Sequence, residues 1–141
     1  MKHFWIDAKG PGDRDAIRRA CEWMVTELRP GTVGLLVVPT IATLTGGFAA
    51  EQPRLARTLE REGRVTDGGA TLALMTQRSG PEFDPNGPAL VLQATMDLLN
   101  IVDATHGITK VLAVPWTKAD IQLWLNMWVP KKLHAPPASD V

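Results

Sequence analysis

Five short apolar runs constrain this chain more than any other feature. They are Phe4-Trp5-Ile6, Val33–Val38 (VGLLVV), Ala70–Met75 (ATLALM), Ala89–Leu92 (ALVL) and Val111–Val114 (VLAV). Each is short enough for a strand, and most lack the polar alternation that marks a strand with one wet face. Continuous apolar strands are those covered on both faces by helices. Between the runs lie stretches with the period of an amphipathic helix, and strands alternating with helices build βαβ units around a parallel sheet. The sequence therefore predicts an α/β fold. It is a single three-layer, Rossmann-like domain of about five mostly parallel strands and about four helices over residues 1–129, with a flexible C-terminal tail over 130–141.

The helices have legible boundaries. Over Asp13–Leu28, the residues Ile17, Ala20, Cys21, Met24, Val25 and Leu28 fall on one stripe expected to be buried, with Asp13 as N-cap and Pro30-Gly31 as the stop. A second helix, about Glu51–Glu62, ends at Gly63. A third, about Thr95–Thr105, carries Leu98, Leu99 and Val102 and stops before Gly107, with His106 placed to favour the helix dipole. The fourth opens on the capping-box-like Thr117-Lys118-Ala119-Asp120 and runs to about Trp128. Residues 77–88, with three prolines and two glycines, cannot be helical. They imply either that the flanking strands are antiparallel neighbours or that a long loop crosses one end of the sheet.

Composition removes several function classes. Lys+Arg and Asp+Glu both number 15, so no whole-molecule field attracts nucleic acid or an anionic membrane. A single cysteine, Cys21, excludes an intrachain disulfide and a cysteine-based metal cage, and its place in the apolar stripe makes it a small core residue rather than a nucleophile. The first residues resemble no signal peptide, and no apolar run approaches the ~20 residues of a membrane span. A cytoplasmic location without membrane contact is the expectation. G-x-x-x-x-G-K-[ST], G-x-S-x-G and H-E-x-x-H are all absent, and no metal site is expected.

In parallel sheets ligands bind outside the carboxyl ends of the strands. The residues that follow each apolar run define the expected site: Lys9, Gly12 and Arg14 after the first, Thr40, Thr43, Thr45, Gly46 and Gly47 after the second, and Trp116 and Lys118 after the fifth. Gln93 and Thr95 follow the fourth. Hydroxyls and main-chain N–H groups at helix starts can hold an anion, although threonine serves equally well as a cap or turn residue. Gly10-Pro11-Gly12-Asp13-Arg14-Asp15 sits where a dinucleotide fingerprint would, but Asp15 replaces the third glycine and Asp13 puts a negative charge where pyrophosphate would approach. Asp7 and Lys9 are the only acid and amine to nominate for catalysis, and no cofactor follows from the sequence.

Arg54, Arg57, Arg61 and Arg64 have helical spacing, but Glu51, Glu60 and Glu62 lie among them, which describes a solvated face with local ion pairs better than a nucleic-acid surface. The last helix is apolar nearly all round. Ile121, Trp124, Leu125 and Trp128 are therefore candidates for an interface in a homo-oligomer. The leading expectation is a ligand-binding or regulatory module that holds a small anionic or nucleotide-like molecule and self-associates. The rivals are a small transferase or hydrolase using the same crevice, and an assembly subunit with no small-molecule site.

Overall fold

A computed structural model describes residues 1–10, 12–80 and 84–134. Seven strands form one sheet in the order β3-β4-β2-β5-β6-β1-β7. They are β1 (Lys2–Trp5), β2 (Val33–Val38), β3 (Arg64–Asp67), β4 (Ala70–Thr76), β5 (Pro88–Ala94), β6 (Lys110–Pro115) and β7 (Lys131–Lys132). Every pairing is parallel except that of β3 with β4. The helices are α1 (Arg14–Glu27), α2 (Ala49–Glu51), α3 (Pro53–Glu62), α4 (Met96–Asp103) and α5 (Gln122–Trp128).

Successive strand residues point to opposite faces, so the apolar runs feed two cores. Leu36, Val38, Leu90, Leu92, Leu112 and Val114 point to one side and pack with α1, α3 and the turn at Leu44–Phe48. Leu35, Val37, Val91, Val111 and Ala113 point to the other, under α4 and α5. The result is a three-layer α/β domain with a mostly parallel sheet, as continuous apolar strands require.

The differences from expectation have local causes. Arg64–Asp67 is a strand, because Gly63 takes a left-handed φ of 74° and ends α3, and Gly68 and Gly69 (φ 59° and 83°) then turn the chain tightly into β4. Arg64 thus leaves the helical arginine row. Residues 131–133, assigned to the tail by the sequence, instead join the sheet edge: Lys131 and Lys132 pair with Phe4 and Trp5, and the Leu133 N–H donates to the Trp5 carbonyl at 2.8 Å. Residues 135–141 lie outside the described part. The strands flanking residues 77–87 are neither antiparallel nor neighbours. Both run parallel to β2, which separates them, so the connection returns from the carboxyl end of β4 to the amino end of β5. Val25 is 77% exposed instead of buried, so the apolar stripe of α1 is wider than the surface that covers it.

Candidate functional site

The chain diverges between β2 and β5. After β2 it moves through α2 and α3 in one layer toward the β3–β4 edge, and after β5 it passes through α4 in the opposite layer toward β6. Such a reversal opens a crevice at the strand carboxyl ends because the two loops leave in opposite directions. Here the crevice is lined by residues that include Gly10, Asp13, Thr43, Gly47, Gln93 and Trp116. The space open to the centre of a water molecule is about 20 Å³. Its enclosed part therefore admits one small group, and anything larger must lie over the mouth.

Two side chains bridge the divergence. Thr43, from the segment after β2, is the one buried polar residue among the described residues. Its Oγ1 donates to Gln93 Oε1 at 3.1 Å. Gln93 lies at a bulge where the β5–β6 register slips between Leu92 and Ala94, and its φ is +50°. A residue other than glycine in this region costs about 1–3 kcal/mol, and such strain clusters at binding sites. At this bulge Gln93 lines the crevice, with its side-chain carbonyl held by Thr43.

Asp13 closes the start of α1. Its carboxylate accepts from the N–H of Lys9 at 2.9 Å and of Ala16 at 3.1 Å. The hydrogen bond from the Lys9 amide foremost, joined by that from Ala16 and the nearby Arg19 and Lys9 charges, holds its pKa below the ordinary value against the opposing effect of burial. The helix terminus expected to receive an anion is thus occupied by the chain's own carboxylate.

Of the expected site residues, Thr43, Gly47 and Trp116 line the crevice. Arg14 is turned to Glu51, with Nε 2.8 Å from Oε1. The Thr45 hydroxyl bonds the Ala42 carbonyl, and Gly46 forms a kink in the same turn with ψ −127°. Gly12, Thr40 and Lys9 are exposed, and the Lys118 ammonium lies 6.0 Å from the Trp5 ring. Asp7 faces Lys132 at 3.4 Å, and neither Asp7 nor Lys9 lines the crevice. Pro11 lies outside the described residues. Three of the expected interface residues belong to the chain's own core: Ile121, Trp124 and Leu125 are buried beneath α4, where Trp124 Nε1 donates to Asp103. Only Trp128 is at the surface. Gln93 stood among the residues that the sequence places after the fourth apolar run, where its one distinguishing signal was a polar side chain immediately after that run.

The crevice offers a hydroxyl, an amide, main-chain groups, one carboxylate and the exposed face of Trp116. Asp13 is the only ionisable lining residue among the described residues, and a carboxylate held ionised by two N–H donors is a poor proton acceptor. The arrangement suits recognition more than proton transfer. Among the described residues no group of three or more metal-ligating side chains occurs, and no helix is long and apolar enough to cross a membrane.

No protein-family model matches the chain, and no curated protein matches it. Among solved structures it is similar to the large terminase from a thermophilic bacteriophage, with a TM-score of 0.55 and 11% sequence identity. The likeness covers 94% of this chain and 40% of that one, so the chain spans well under half of that protein's length. At this identity the likeness establishes the three-layer α/β fold alone.

Proposed function

We propose that this chain is a ligand-binding α/β domain whose site is the crevice at the carboxyl ends of β2, β5 and β6. The observation that carries this reading is the Thr43–Gln93 hydrogen bond at a strained bulge, placed where the chain diverges. Backbone strain of the kind held at Gln93 clusters at binding sites. The ligand is nucleotide-like in its planar part: a ring lies against the exposed Trp116, accepts a hydrogen bond from the Gln93 amide and donates one to Asp13. The anion expectation narrows accordingly. With Asp13 as the only charged lining residue among those described, a phosphate is met from outside, by Lys9, which lies in sequence between the lining residues Ala8 and Gly10. The rival enzyme reading has lost its two candidates from the lining.

Thermal-shift titration with adenosine, AMP and inorganic phosphate tests the reading. Adenosine and AMP should both raise the melting temperature of the wild type, and Trp116→Ala and Thr43→Val should each weaken the effect. Stabilisation by phosphate equal to that by AMP would overturn the ring-first reading, and indifference to all three would remove the site.

A second reading rests on a separate observation. Leu123, Met127 and Val129 expose most of their apolar surface on and just beyond the outer side of α5, beside the half-exposed Trp128. A patch of this kind suits self-association. Light scattering at micromolar concentration should give more than a monomer mass, reduced by Leu123→Glu; a monomer in the wild type removes this reading.

A further inference from the structure

The layer that holds α1 and α3 contains a second cavity, of about 300 Å³, whose floor is Leu36, Leu72 and Leu90 of three adjacent strands. Well-packed interiors leave few voids larger than a water molecule, and a dry apolar cavity of about 150 Å³ already holds a benzene ring. This cavity has twice that volume. Its walls are apolar, with Met24 and Val25 on α1 facing Leu55 on α3. Val25 sits at the position where the helical stripe calls for burial, yet it is 77% exposed.

Among the described residues the lining has two polar side chains, the half-buried Gln52 and the exposed Asp67. Gln52 stands at the break between α2 and α3, where its φ of −135° and ψ of 68° interrupt the helix, and Asp67 ends β3. Neither side chain has a hydrogen-bond partner among the described residues. Asp67 is the only formal charge in the lining among the described residues. An apolar chamber with one unpaired carboxylate and one unpaired amide at its rim complements a molecule with a hydrophobic body and a cationic head.

We propose that this cavity is a binding site for a small amphipathic amine: a single ring or short alkyl chain seated between α1 and α3, its ammonium at Asp67 and Gln52. The site is distinct from the crevice, although Phe48 forms a wall of both. It does not rest on the nucleotide-like reading of the crevice.

The test compares 4-phenylbutylamine with 4-phenylbutyrate, which share a body and differ in the sign of the head. Calorimetric titration of the full chain should show the amine binding about fivefold or more tightly than the acid, the difference expected of one partly exposed charge. Asp67→Asn should shrink that difference to about twofold or less. In the wild type the amine should shift the methyl resonances of Met24, Leu55 and Val65 and leave that of Thr43 in place, a readout that needs no variant. Val65→Trp, or Leu55→Trp should the first not fold, should fill the chamber and abolish binding while leaving any adenosine effect intact. Absence of amine binding at millimolar concentration, equal binding of acid and amine, or methyl shifts centred on Thr43 would each overturn the proposal.

Discussion

His3 lies stacked on Trp128, ring centroids 4.3 Å apart and planes 12° from parallel, so the first strand and the last helix meet through two aromatic faces. Trp124 meets the same imidazole edge-on at 5.5 Å. His3 Nε2 stands 3.6 Å from Asp103 Oδ1, beyond hydrogen-bond distance, and neither atom has another partner among the described residues. Burial lowers the His3 pKa below its ordinary 6.5, and the Asp103 charge recovers only part of the loss.

The sign of the resulting pH dependence follows. Well above pH 6.5 His3 is neutral in both folded and unfolded chains. As pH falls below that, the unfolded chain takes up the proton first, and stability is lost until the lower folded-state pKa is passed. The melting temperature should therefore drop by a few degrees more in the wild type than in His3→Phe between pH 7.5 and 5. Parallel curves for the two proteins would show that burial does not hold His3 neutral.

Gln93 gives an inverted ranking. In an ordinary strand alanine is more stable than glycine by about 0.5–1 kcal/mol. At φ +50° alanine keeps the strain and loses the bond to Thr43, while glycine loses the bond and sheds the strain. Gln93→Gly should be more stable than Gln93→Ala by about 1 kcal/mol or more in urea denaturation. The usual order, alanine above glycine, would mean that the bulge relaxes without cost.

Gly107 should tolerate nothing larger. Its φ is +96°, and a Cβ there would overlap the carbonyl of Pro85. Left-handed strain of about 1–2 kcal/mol adds to an overpacking cost of about 1–3, so Gly107→Ala should lower stability by roughly 3 kcal/mol. Gly31, also left-handed at +83° but facing open space, isolates the first contribution. Gly31→Ala should cost only about 1–2 kcal/mol. Equal losses at the two positions would contradict the close approach of residues 85 and 107.

What the chain discloses as sequence and what it hides divide along one physical line. The five apolar runs were legible because burial on two faces suppresses alternation, and α1 and α4 because their caps and stripes agree. β3 was hidden by its polarity, since an antiparallel edge strand needs no continuous apolar run, although Asp67-Gly68-Gly69 carried a turn signal. β7 is two lysines, which carry no apolar signal and take their place on the sheet edge through main-chain pairing with Phe4 and Trp5 and the contact of Lys132 with Asp7. At the crevice, position after a strand singled out Thr43, Gly47 and Trp116 but said nothing of side-chain direction. That is why Arg14 was drawn to Glu51 and Trp124 into the core without any sign in the sequence. Position placed both Gln93 and Thr95 after the fourth run, and the register slip at Leu92–Ala94, which the sequence does not show, accompanies the one that lines the crevice.

Cys21 allows a test of the helical layer as a whole. It is buried on the inner side of α1 and lines the second cavity. Burial, with lesser contributions from Glu51 and Glu22, pushes its thiol from 9.0 up to about 12. The reacting species is the thiolate, so at pH 8 this shift cuts the reactive fraction by about a thousandfold. Native protein should react with a charged disulfide reagent at least a hundredfold more slowly than urea-unfolded protein, even though an open chamber lies beside the sulfur. The chamber is apolar, and a charged reagent entering it leaves its hydration behind. Native labelling within tenfold of the unfolded rate would show that α1 and α3 part readily, and the chamber would then be a product of their motion rather than a fixed feature of the fold.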